Sequence, residues 1–200
     1  MSRRAMTFRS LPFAPVAALM LAACSTAPSE TPPLADARIG GPLNLTTQDG
    51  KRLTEADLAG KYRLLYFGYS YCPDVCPVDL QKLMAGYRQL EKADPAIAAK
   101  VQPIFVTVDP ARDTPQQLKT YVNAFHPKLI GLTGSEAEIA KVAKDYAIFY
   151  SREGAPGAKD YLVNHARIAY LMGPDGKPIA LIPHDESPAK IAGELQRWVR

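Results

Sequence analysis

Cys72-Pro73-Asp74-Val75-Cys76-Pro77 places two thiols four residues apart, between the apolar run 62–68 and a helix-like segment. A cysteine where a strand gives way to a helix meets free amide N–H groups and the positive end of the helix dipole, and both stabilise a thiolate. If the loop turns helical from Cys72, the i, i+4 spacing puts both sulfurs on one face, about one turn apart. Three intervening residues make a wider pair than the two-residue spacing of redox motifs, so the pair can close a disulfide or open around one metal ion. A structural disulfide or two buried thiols is the plainer alternative; the position at the mouth of a strand, bracketed by Pro73 and Pro77, argues against it. Two sulfurs make a weak site for most metals, so a third ligand is worth seeking among the three histidines. His126, in Phe125-His126-Pro127 at a predicted helix end, reads as a helix cap. His184 lies in the polar loop Pro183-His184-Asp185-Glu186, and His165 follows Tyr161-Leu162-Val163-Asn164 at the predicted start of a strand. Position leans to His165 without deciding.

These residues need elements to hold them. Leu43 to Thr46 and Arg52-Leu53 flank Gln48-Asp49-Gly50, a hairpin signal. Residues 62–69 and 101–108 are dense apolar runs of strand length, the first predicted to be buried on both faces. Pro77 suits a first helical turn, and Leu80, Leu83, Met84, Tyr87 and Leu90 follow at helical spacing. Thr114-Pro115-Gln116-Gln117 opens a helix to about Phe125, and Ser135-Glu136-Ala137-Glu138 opens another to about Tyr146. Residues 129–132, 147–151, 167–172 and 178–183 are predicted strands, with a loop over 152–160 and Gly173-Pro174-Asp175-Gly176 as a tight turn. Ser187-Pro188 caps a last helix ending at Trp198. Alternation followed by an antiparallel ending predicts an α/β fold, a mixed central sheet with helices on both faces and an N-terminal hairpin.

The N-terminus reads differently. Arg3, Arg4 and Arg9 precede an apolar run, Leu11 to Ala23, that ends in Leu21-Ala22-Ala23-Cys24. This resembles the lipobox of bacterial lipoproteins, which implies a signal peptide over 1–23, cleavage before Cys24 and lipid on its sulfur. Residues 24–38 then read as a flexible tether, and 39–200 as the folded domain. The leader holds three of the 24 basic residues and none of the 20 acidic ones, so the remainder is near charge balance. No basic run interleaves with aromatics, which argues against nucleic acid as a partner. In an oxidising compartment, a thiol pair must be reduced by a partner or protected by metal.

Residues 66–77 resemble the signature of the Sco/SenC family. Val108-Asp109-Pro110-Ala111-Arg112-Asp113-Thr114-Pro115 is similar to its second motif, and Val163-Asn164-His165 with Gly173-Pro174-Asp175-Gly176 to its third. The three fall in family order across roughly 39–199. The resemblance implies a thioredoxin-like fold with inserted elements and a copper site of Cys72, Cys76 and His165. Two thiolates and one imidazole suit Cu(I), with Cu(II) as the other state in transit; zinc would want a fourth protein ligand. Asp74, Asp109 and Asn164 are candidates to contact or tune the ligands. The family usually has an acid before the histidine and a hydroxyl residue after it, where this chain has Asn164 and Ala166.

The resemblance implies a copper metallochaperone that delivers one ion to the binuclear copper centre of cytochrome c oxidase. Its implied partners are the oxidase copper-site subunit, a thiol reductant protein, another copper chaperone as donor, and a membrane reached through the lipid at Cys24. The implied localisation is a bacterial cell-membrane lipoprotein facing the periplasm. The alternative is a thiol-disulfide oxidoreductase acting through Cys72 and Cys76 on the oxidase copper-site cysteines, or a redox sensor. A thiol peroxidase on the same fold fits less well, because Tyr69 rather than threonine lies three residues before Cys72.

Overall fold

The computed structural model describes residues 30–155, 158 and 160–200; the leader and Cys24 lie outside them. In chain order the elements are β1 (Leu45–Thr47), β2 (Arg52–Leu53), a 3-10 turn (Glu55–Leu58), β3 (Tyr62–Gly68), α1 (Val75–Ala93), α2 (Pro95–Ala98), β4 (Val101–Thr107), α3 (Pro115–Asn123), β5 (Ile130–Thr133), α4 (Glu136–Asp145), β6 (Tyr150–Glu153), β7 (Leu162–His165), β8 (Ala169–Met172), β9 (Pro178–Leu181) and α5 (Pro188–Trp198). Seven strands form one mixed sheet in the order β2-β1-β5-β4-β3-β8-β9. The central trio β3, β4 and β5 is parallel, and the flanking pairs are antiparallel.

The central strand β3 is buried at every residue, as its unbroken apolar run requires of a strand covered on both faces. Alternation sends neighbouring side chains to opposite faces. Tyr66 stacks beside Phe105 and reaches Asp79 of α1, while Phe67 packs 5.5 Å from the Tyr146 ring at the end of α4. Leu80, Leu83, Met84, Tyr87 and Leu90 form the buried stripe of α1 as their spacing predicts, and α5 crosses that helix. At the crossing a Cβ on Gly86 would stand 2.4 Å from Ile191 Cγ2, so only glycine permits this approach.

The helix starts follow the predicted caps. Thr114 accepts from Gln117 N, Ser187 accepts from Lys190 N, and Ser135 and Glu138 satisfy each other's backbone N–H in a reciprocal box. The compact unit runs from Thr31 to Arg200 and takes in the end of the segment read as a tether, where Leu34 N donates to Ile179 O on the outer edge of β9.

Two of the differences from the sequence expectation concern the elements that lead to the site. The strand expected from Ala147 begins only at Tyr150. Ala147 sits at φ 53, and Ile148 N folds back to Ala143 O at 2.7 Å while Ala147 N reaches Lys144 O, a left-handed helix stop with alanine where glycine is usual. His165 was expected to open the strand that follows it; instead it ends β7, which pairs with β6 in a separate two-stranded sheet, with Tyr150 opposite His165.

Candidate metal centre

Gly68 ends β3, and the loop 69–74 carries the chain up to α1. The helix begins at Val75, so Cys72 lies just before it and Cys76 in its first turn. Cys76 N donates to Cys72 Sγ at 3.4 Å, which is the stabilisation that a helix N-terminus offers a thiolate. Cys76 is fully buried and Cys72 half-buried, and both are free thiols. A Cβ on Gly68 would lie 3.0 Å from Cys76 Sγ, so the glycine leaves room for this sulfur over the strand end.

The hairpin of β6 and β7 brings in the third group. His165 Nε2 lies 3.0 Å from Cys76 Sγ across 89 residues of sequence. Its Nδ1 lies 3.1 Å from the Ala166 carbonyl, which can only accept, so Nδ1 holds the proton and Nε2 is directed at the sulfur. Tyr66 and Tyr69 stand edge-on to the imidazole at 6.5 and 6.0 Å, and the Tyr69 hydroxyl accepts from Val163 N to fasten β7 to the end of β3.

The two thiols divide one proton. The Cys76 thiol donates to Cys72 and holds its pKa far below the ordinary value, with the amides of Asp74 and Cys76 adding to this against the cost of burial. Cys76 is pushed up by that same hydrogen bond and by burial, and keeps the proton. The resting site is thus a thiolate, a thiol and an imidazole whose ligand atoms all lie within 4.8 Å of one another. Loss of the Cys76 proton would leave two soft sulfurs and one nitrogen converging on one point, a donor set that fits Cu(I).

The other candidates take different places. Asp74 is the exposed residue before α1, and its side chain makes no cap hydrogen bond. Asp109 is fully buried and accepts from Arg112 Nε at 2.5 Å and Tyr161 OH at 2.6 Å. Arg112 in turn lies over the rings of Tyr69, Tyr71 and Tyr161, so Asp109 reaches the ligands only through this aromatic layer. Asn164 points along the hairpin to Glu153, away from the His165 ring, whose orientation rests on the Ala166 carbonyl. His126 is buried against Glu91 and accepts from Lys128 N, far from the thiols in role.

Sequence reasoning passed over Asp79 and Arg167. Asp79 is 1% exposed and accepts a two-pronged contact from Arg167 and a third bond from the Tyr66 hydroxyl. The signal for Asp79 was present: it lies on the same stripe as Cys76, Leu80 and Leu83, where an acid has to be paired. Nothing in the sequence names its partner.

Comparison with known proteins places these features in context. The SCO1/SenC family profile matches residues 31–200. The Arabidopsis thaliana protein named SCO1 homolog 1, mitochondrial, is 48% identical over 151 residues, 76% of this chain and 44% of that protein. The copper-bound structure of Bradyrhizobium japonicum ScoI is 41% identical with a TM-score of 0.72, covering 80% of this chain and 99% of that one. BsSco, described as a Sco-family cytochrome c oxidase assembly protein with a disulfide switch, is 26% identical with a TM-score of 0.57, covering 78% of this chain and 90% of that one. The fold is thioredoxin-like, as the resemblance implied. The chain spans about half the length of the curated relatives it matches, 44% to 56% of the first three.

The curated Arabidopsis, yeast, mouse and human relatives are all named mitochondrial, which overturns a bacterial cell-membrane lipoprotein facing the periplasm. The physical reason for the misreading is that basic, acid-free N-terminal segments serve more than one targeting route.

Proposed function

The chain belongs to the SCO1/SenC family, and we propose that it is a copper metallochaperone whose Cys72, Cys76 and His165 hold one copper ion for delivery to the binuclear copper centre of cytochrome c oxidase. The observation that carries this reading is the convergence of the two sulfurs and Nε2 within 4.8 Å. Its relatives include Sco proteins with copper bound and one described as a cytochrome c oxidase assembly protein.

The chemistry follows from the residues. Cys72, ionised and half-exposed, is the first donor an incoming ion meets. Cys76 releases its proton as it ligates, and the proton held on Nδ1 keeps Nε2 free to donate. Delivery is ligand exchange with the client's thiolates, starting at the accessible sulfur. The segments that carry the ligands also expose Tyr71, Val78, Phe149 and Leu162 at 49%, 49%, 73% and 49%, apolar surface suited to a client protein. A second reading draws on the free, unequally ionised thiols: Cys72 attacks one sulfur of a client disulfide and expels the other as a thiolate, Cys76 then attacks Cys72 Sγ and expels the first, and the two client thiolates take the Cys76 proton and one from solvent. The client is reduced to two thiols while Cys72 and Cys76 become a disulfide.

An anaerobic transfer experiment separates the two. The reduced chain loaded with Cu(I) is mixed with the reduced, copper-free copper domain of the oxidase, the proteins are separated and copper is measured on each. Movement of copper to the oxidase domain is the expected result. Copper staying on the chain, with rapid reduction of the oxidase domain's disulfide by the metal-free protein, would give the oxidoreductase reading the lead.

A further inference from the structure

His165 arrives at the site on a hairpin that shares no strand ladder with the main sheet, and the stretch 165–168 then crosses to β8, whose Ala169 pairs with Tyr66 of β3. Among the described residues, polar side-chain contacts link this crossover to α1 at two places. One is the His165–Cys76 contact; the other is the Asp79–Arg167 pair. The first cannot survive metal binding, because both of its atoms become ligands. The second involves no ligand atom and persists.

We propose that Asp79 and Arg167 form a positioning clamp that holds the His165 imidazole over the two sulfurs. The inference rests on the copper-site reading above and names the residues that pre-organise that site. Asp79 lies three residues after Cys76 on α1, and Arg167 two residues after His165. Arg167 Nε and Nη2 donate to the two Asp79 oxygens at 2.9 and 2.7 Å, a planar fork that fixes orientation as well as distance. The carboxylate is anchored from behind by the Tyr66 hydroxyl at 2.8 Å, with His184 Nε2 at 3.6 Å. Tyr66 itself presents its ring edge-on to His165, so the clamp and the imidazole share one rigid support in β3. A third ligand placed by a fixed pair binds without the ordering cost of a free hairpin end.

The test compares Arg167→Met, Asp79→Asn, the double variant and each combined with His165→Ala. Two quantities are read: Cu(I) affinity by anaerobic competition, and the ¹⁵N shifts of the His165 ring in the reduced, metal-free protein. The clamp predicts that either single change weakens Cu(I) on the order of tenfold to a hundredfold. It also predicts that the ring changes from one tautomer with Nδ1–H to averaged shifts, that the double variant loses no more than a single one, and that neither adds to His165→Ala. Unchanged affinity and ring shifts in Arg167→Met, or losses that add fully to His165→Ala, would overturn it. Should Asp79→Asn fail to fold, Arg167→Met decides alone, since its side chain is 44% exposed. A wild-type protein that binds no copper would sink the proposed function, while the ring shifts would still judge the clamp.

Discussion

At the scale of single residues, the site depends on an asymmetry between two identical side chains. Cys72 is held ionised by the Cys76 thiol and by backbone amides, and Cys76 is buried and protonated. In the reduced, metal-free protein at neutral pH, limiting iodoacetamide should therefore label Cys72 well ahead of Cys76 by peptide mapping; equal labelling would contradict the assignment. Asp79 gives a pH-dependent counterpart. Burial resists its ionisation, but the hydrogen bonds from Arg167 and Tyr66 and the charge of His184 prevail, holding its pKa below the ordinary 3.8. A depressed acid contributes stability above its unfolded value and loses it as pH falls through the folded one. Asp79→Asn should thus be less stable than wild type by roughly 1–3 kcal/mol at neutral pH, the lower end reflecting the partly exposed Arg167. In urea melts the gap should be full above pH 3.8 and close in stronger acid; a gap that stays constant into acid would refute the pairing. Of these residues, the thiol pair was readable from spacing alone, whereas His165 needed the family resemblance. The Asp79–Arg167 contact spans 88 residues and leaves no local trace.

At the scale of elements, legibility followed local chemistry. The Ser135–Glu138 box, the Pro115 and Pro188 starts and the α1 stripe were readable because each is a pattern within a few residues. The late start of β6 was not, because an alanine at φ 53 just after α4 does work usually left to glycine. A left-handed alanine costs about 1–2 kcal/mol, offset in part by the greater unfolded-state freedom of glycine. Ala147→Gly should therefore stabilise the protein by up to about 1 kcal/mol in thermal melts. A loss of stability would mean that the alanine methyl makes contacts worth more than its strain. The strand β7 escaped for a different reason: only Val163 of its four residues is buried, so it shows no sustained alternation.

At the scale of the whole molecule, a mixed sheet buried on both faces carries the thiols, and a smaller hairpin with little buried surface brings the imidazole to them. The division predicts unequal mobility. Amides of β6 and β7 should exchange with deuterium well before those of β3 and β4 in the metal-free protein, and slow when copper is bound. Uniform protection across both sheets would speak against a hairpin that the metal helps to order. The order of elements was legible because alternation of strand and helix patterns dictates a layered α/β architecture. The destination of the chain was not, because targeting signals are read by other machinery and are not a consequence of the fold.

In the function proposed above, one copper ion is held by Cys72, Cys76 and His165 together. An anaerobic Cu(I) competition titration of the reduced protein, beside His165→Ala, tests it most directly. One copper per chain is expected, with the substitution weakening it by more than the roughly tenfold to hundredfold that an outer partner costs. Substoichiometric copper in both proteins, or equal affinity in both, would contradict it.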